Sequence, residues 1–181
     1  MTINCACPGS SRKGFSLIEL LIVVAIILII AAIAIPNLLR ARIAANESSA
    51  VSSIRTMNTA MITYQSTFQI VGYASTIAAL GPSASTGCTT PASGNACLVD
   101  WLVAQASAAG SAKSGYYFLD AAGTTVSGIL LGYTLDGLPA SVNQTGVRGF
   151  CSNEDAVIRY TAVGSAASGS NTKCAAYTGL R

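Results

Sequence analysis

No histidine occurs in the 181 residues, so the commonest general base and the commonest zinc ligand are both missing. Charge is scarce as well, with Asp, Glu, Lys and Arg together making up 9% of the chain. Neither Gly-x-Ser-x-Gly nor Cys-x-x-Cys occurs, which removes the nucleophile elbow of hydrolases and the usual cysteine spacing of zinc sites. The six cysteines have no metal-ligand pattern to belong to. No catalytic residue, cofactor site or metal site is therefore expected. A membrane-anchored or secreted enzyme or binding module is left as a remote alternative.

What is abundant is apolar: 51% of the residues are hydrophobic, and they crowd toward the N-terminus. From Leu20 to Leu39 no residue is charged, and Phe15 to Ile35 would make about 31 Å of helix at 1.5 Å per residue, the thickness of a bilayer's hydrocarbon core. Arg12 and Lys13 precede this stretch, and the positive-inside tendency keeps that flank in the cytoplasm and sends the C-terminal part outward. A secretory signal peptide competes, because Leu20 to Ile30 would serve as its apolar core and Ala32-Ile33-Ala34 as its cleavage site. Glu19 argues against it. A carboxylate in an apolar helix costs several kcal/mol in lipid, roughly 2.5 to 3.5 on insertion scales, and a segment discarded after export has no use for it.

Lys13-Gly14-Phe15-Ser16-Leu17-Ile18-Glu19-Leu20 followed by an apolar helix resembles the processing signal of type IV prepilins and of the related pseudopilins of type II secretion. The resemblance covers residues 12 to 60. It implies cleavage after Gly14, N-methylation of the new terminus at Phe15, an assembly role for Glu19 and a helix kink at Pro36. It also implies a homo-oligomeric helical filament and dealings with a prepilin peptidase and methylase, an inner-membrane assembly platform and its ATPase, and membrane lipid before assembly. The chain would then be a single-pass inner-membrane protein first and part of an extracellular or periplasmic filament later. Without Arg12 and Lys13 the remaining side chains carry 8 Lys/Arg against 7 Asp/Glu, so no nucleic-acid partner is indicated.

The expected organisation is a leader at 1–14, a transmembrane and filament-core helix at 15–36, its amphipathic continuation at 37–69 and a globular head at 70–181. Val51, Ile54, Met57, Met61, Tyr64 and Phe68 recur at intervals of three and four with polar residues between them, which is one face of an amphipathic helix. Short helical patches are expected at Ser75 to Leu80 and at Leu98 to Ala106, with Trp101 on the core. Strands are expected at Tyr116 to Asp120, Gly128 to Leu135, Val147 to Cys151 and Val157 to Ala162. Asp136-Gly137 is among the turns between them, and a loop should follow over residues 164–172. The fold class is α+β: a long N-terminal helix, transmembrane half and then amphipathic half, packed on a small four-stranded antiparallel sheet as in pilins.

Cys5 and Cys7 lie ahead of the cut, leaving Cys88, Cys97, Cys151 and Cys174. In an exported chain four cysteines read as two disulfides. Of the three pairings, Cys88 with Cys97 and Cys151 with Cys174 is preferred, because each bond then closes a segment without crossing the sheet. Major secretion pseudopilins tend to hold calcium near the C-terminus, yet residues 156 to 181 contain no Asp or Glu. That favours a pilus subunit, with a secretion pseudopilin as the alternative.

Overall fold

The computed structural model describes residues 14–88, 90–162 and 171–179. The leader with Cys5, Cys7, Arg12 and Lys13 lies outside them, as do residues 163–170. Of the loop expected over 164–172, residues 171 and 172 instead open a short helix.

The first helix, α1, runs from Leu17 to Thr67 and contains Pro36. Its residues fall in two compact units divided at Leu38–Leu39. In the first unit every large apolar side chain from Phe15 to Leu38 is exposed, and the most apolar window of α1, with a mean hydropathy of 3.3, buries nothing. By length and composition this stretch can cross a membrane. The helical assignment is unbroken from Ile33 to Asn37, so the backbone stays helical past Pro36, where a kink is expected. A proline inside a helix removes its own backbone donor and crowds the carbonyl four residues back, while the ladder on either side can persist.

In the second unit the same helix becomes amphipathic. Ile54, Met57, Met61 and Tyr64 are buried, Val51 and Phe68 pack at the margin, and Ser52, Arg55 and Thr63 face outward. Ser53 and Asn58, which interrupt the stripe, are buried too, and each has a partner: Lys113 Nζ bonds Ser53 Oγ at 3.3 Å, and Asn58 Nδ2 donates to Ser152 Oγ at 2.8 Å. The outer face carries a run of hydroxyls that satisfy themselves. Thr56, Thr59, Thr63 and Thr67 each donate to the carbonyl four residues back, at 2.8 to 3.1 Å.

After α1 come α2 (Ile77–Leu80) and α3 (Trp101–Gln105). Thr76 caps α2 by accepting the Ala79 N–H. In α3 the buried residues are Val103 and Ala104, while Trp101 is only half-buried and Leu102 is exposed. The expectation that Trp101 anchors this segment is therefore corrected: the small side chains fit under the helix, where the indole would not.

Among the described residues the main sheet has five strands, not four. Its order is β1 (Tyr116–Ala122), β4 (Tyr133–Pro139), β5 (Gly149–Asn153), β6 (Arg159–Thr161), β7 (Thr178–Gly179), with every pairing antiparallel. Between β1 and β4 the chain makes a two-stranded hairpin, β2 (Thr125–Val126) and β3 (Ile129–Leu130). Its turn residues Ser127 and Gly128 both have positive φ, 52° and 83°, the handedness that matches the twist of a tight hairpin. The expected strand over Gly128 to Leu135 is thus two strands, and Asp136-Gly137 lies inside β4 rather than in a turn. β4 is buried along its whole length because it sits between β1 and β5. A Cβ on Gly137 would come within 3.0 Å of Ile54 Cδ1, so the glycine is there to let α1 approach the sheet.

The core between α1 and the sheet is built from Ile54, Met57, Met61 and Tyr64 against Tyr116, Phe118, Tyr133, Leu135 and Phe150. Fully burying each large side chain contributes roughly 1.5 to 3 kcal/mol. Two disulfides close the head. Cys88–Cys97 spans 9 residues with Cα atoms 5.7 Å apart, and Cys151–Cys174 spans 23 with Cα atoms 5.8 Å apart. The second fastens the helix α4 (Asn171–Ala175) to β5 and leads into β7, which completes the sheet edge.

Candidate assembly segment

Gly14, Phe15 and Ser16 precede the first turn of α1 and have no helical or strand assignment. The Gly14–Phe15 bond is thus outside any hydrogen-bonded ladder. Phe15 is 84% exposed, and a Cβ placed on Gly14 would meet nothing within 4 Å. A peptidase could reach this bond without unwinding the helix.

Ser16 is the residue ahead of the helix, and its carbonyl accepts from Leu20 N–H at 3.3 Å. Three residues on, Glu19 Oε2 accepts the Ser16 N–H at 3.1 Å. This is the backward half of a capping box, which satisfies one of the donors that a helix start leaves open. Glu19 is also the acidic residue of the first turn, where the helix dipole favours negative charge. The carboxylate is therefore held at the N-terminal end of α1 by a bond within the chain, a single turn from Phe15. Pro36 lies further along the same helix, and Cys88, Cys97, Cys151 and Cys174 belong to the head.

A second cluster was not apparent from the sequence. Glu47 is 6% exposed and receives four contacts: Val147 N–H and Arg148 N–H each at 3.0 Å on Oε1, Arg148 Nε at 2.8 Å on Oε2, and an Arg148 terminal nitrogen at 2.6 Å on Oε2. Burial alone would raise the Glu47 carboxyl. The Arg148 guanidinium and the two backbone donors outweigh it and hold the group below the ordinary carboxylate range. Arg148 in turn lies 5.7 Å from the Phe150 ring centre and 5.5 Å from that of Tyr160. One turn of α1 is thereby clamped to the loop between β4 and β5, and Asn46 adds a bond from Nδ2 to the Thr145 carbonyl at 2.8 Å. A signal was present: extending the apolar stripe back from Ile54 and Ala50 at the same intervals lands on Glu47, a carboxylate where the pattern asks for a buried residue.

In the turn between β5 and β6 Asp155 pairs with Arg159 and accepts the Val157 N–H at 2.8 Å. The Arg159 guanidinium is the main cause that keeps the Asp155 carboxyl below its usual range.

An exposed Gly–Phe bond, a first-turn glutamate and a bare apolar helix leading into an α+β head are the features by which the sequence resembles prepilins. Comparison with known proteins agrees: residues 9–35 match the family described as the prokaryotic N-terminal methylation motif. Over 38 residues, 21% of the chain, the sequence is 66% identical to the type IV wide pilus major component PilA4 of Thermus thermophilus. Over this N-terminal segment the chain is similar to type IV pilins. The matched stretch covers 29% of the relative's length, and no solved structure matches the chain.

Proposed function

We propose that this chain is a structural subunit of a type IV pilus-like filament. It enters the inner membrane as a precursor with its N-terminus cytoplasmic and its head outside. It is then cut after Gly14, N-methylated at Phe15 and polymerised through the N-terminal helix. The observation that carries the reading is the accessible Gly14–Phe15 bond placed one turn ahead of Glu19, on a helix whose large apolar side chains are all uncovered through Leu38. Uncovered apolar surface of this extent needs lipid or other helices around it.

Cleavage creates an ammonium at Phe15 four residues before the Glu19 carboxylate. Methylation preserves that positive charge. The carboxylate accepts the Ser16 N–H within its own chain, and its other oxygen is free to meet the Phe15 ammonium of a neighbouring subunit. Such a pair in a low-dielectric filament core would set the axial stagger, since removing one partner leaves an uncompensated charge costing about 3 to 5 kcal/mol. The pair can also form within one helix, over a single turn. The prepilin peptidase and methylase, the assembly platform and its ATPase are the partners this reading requires.

A pilus is favoured over a secretion pseudopilus by three observations. The relative matched at the N-terminus is a pilus component by name. In addition, the Asp155 carboxylate is occupied by Arg159, and Cys174 fastens the C-terminal segment to β5 covalently. The test is mass spectrometry of the mature N-terminal peptide together with imaging of a deletion strain. The expected results are methylated Phe15 at the N-terminus and loss of extracellular filaments. A mature chain beginning at Ile35 would mean ordinary signal-peptide removal and would end the filament reading.

A further inference from the structure

We infer that Arg40 and Arg42 dock the subunit to lipid phosphates at the outer face of the membrane, and that leader cleavage transfers the subunit's electrostatic hold from the inner face to this one. The inference rests on the membrane stage of the function proposed above. Leu20 to Leu39 is charge-free, twenty residues or about 30 Å of helix, which is the hydrocarbon thickness. Arg40 and Arg42 follow directly, and both are exposed.

No acidic side chain lies within four residues of either arginine on the chain. The next one along, Glu47, is taken by Arg148. Among the described residues neither arginine has an ion pair. Two residues apart on an α-helix is about 200° of rotation, so the two guanidinium groups leave the helix on nearly opposite sides. A protein surface packed on one side would meet one of them. A layer of headgroups surrounds the helix and meets both, and a guanidinium fork matches phosphate geometry. The aliphatic stems let the charges reach that layer while covering apolar surface.

Before cleavage Arg12, Lys13 and the Glu19 carboxylate sum to +1 in side-chain charge at the inner flank, beside the +2 of Arg40 and Arg42 at the outer flank. Cutting after Gly14 removes Arg12 and Lys13 and leaves the Phe15 ammonium and the Glu19 carboxylate, which sum to zero. The processed subunit is then held by its outer flank alone, the side from which it would leave the bilayer.

The experiment uses the full processed chain, labelled with 13C at the guanidinium carbon and reconstituted in phosphatidylethanolamine and phosphatidylglycerol vesicles, with 13C–31P dipolar dephasing measured by solid-state NMR. Six arginines follow Gly14: Arg40, Arg42, Arg55, Arg148, Arg159 and Arg181. The expected result is dephasing of about two of the six signals, lost in the Arg40→Gln/Arg42→Gln variant, whose substituted positions are exposed. Absence of dephasing in the wild-type chain while it resists alkaline extraction overturns the docking and leaves the membrane stage standing. Dephasing that persists in the double variant overturns it equally. Release of the wild-type chain at alkaline pH overturns the membrane stage itself, and the docking with it.

Discussion

Replacing Glu47 with Ala tests whether the head depends on its clamp to α1. The substitution removes a carboxylate that accepts two backbone N–H groups and pairs with Arg148. The side chain of Glu47 is 7% exposed, but that of Arg148 is 41% exposed, so water screens part of the ion pair and the cost falls at the lower end of the buried-pair range. With the two backbone donors left short of an acceptor included, the loss is about 3 kcal/mol. For a head of this size that corresponds to a fall in melting temperature on the order of 10 °C, read by circular dichroism on the detergent-solubilised chain. The pH dependence follows from the lowered carboxyl of Glu47. A depressed folded value gives stability that is complete above the ordinary carboxylate range and lost as pH falls through the folded value. The gap between wild type and Glu47→Ala should therefore be constant from about pH 6 to 8 and shrink below about pH 4. A melting shift under about 2 °C at neutral pH, or a gap that grows on acidification, would refute the reasoning.

Three further outcomes are expected. Cys174→Ser should destabilise the head by roughly 3 kcal/mol through the lost closure of the 23-residue segment, measured by denaturant titration. Tyr133→Phe removes the 3.1 Å bond from a buried hydroxyl to Asn58 Oδ1 and should lower unfolding free energy by about 1 to 2 kcal/mol in the same assay. Glu19→Ala should leave cleavage after Gly14 intact while filaments become sparse or vanish, and normal filament yield by electron microscopy would show that the carboxylate does no more than cap its own helix.

The long helix and its two halves were legible because a charge-free run and a three-and-four stripe are local patterns, complete within a few turns. The α+β class followed from that stripe and the strand-like runs after residue 115. The sheet's details were less accessible. Asp136-Gly137 has turn chemistry, yet it forms the middle of β4, since Gly137 pairs with Phe118 and Phe150 and yields space to Ile54. That decision is made by three distant elements together. Val147 falls outside β5 for a similar reason: its N–H goes to Glu47, one hundred residues away. Two-residue strands such as β3 and β7 are too short for any alternation to show. At the N-terminus the segment itself could be read from Gly14 to Glu19, but the bond from Ser16 N–H to the Glu19 carboxylate needed coordinates.

The self-bonded threonines along α1 bear on what its outer face can meet. Each hydroxyl proton of Thr56, Thr59, Thr63 and Thr67 is already committed to a backbone carbonyl. What the face offers outward is mostly methyl groups and spare lone pairs. Covering these threonines with another surface strands none of their donors, and uncovering them again requires none to be rehydrated. A face of that kind passes between wet and dry surroundings at small cost in either direction, a property suited to a contact that must be made and later undone.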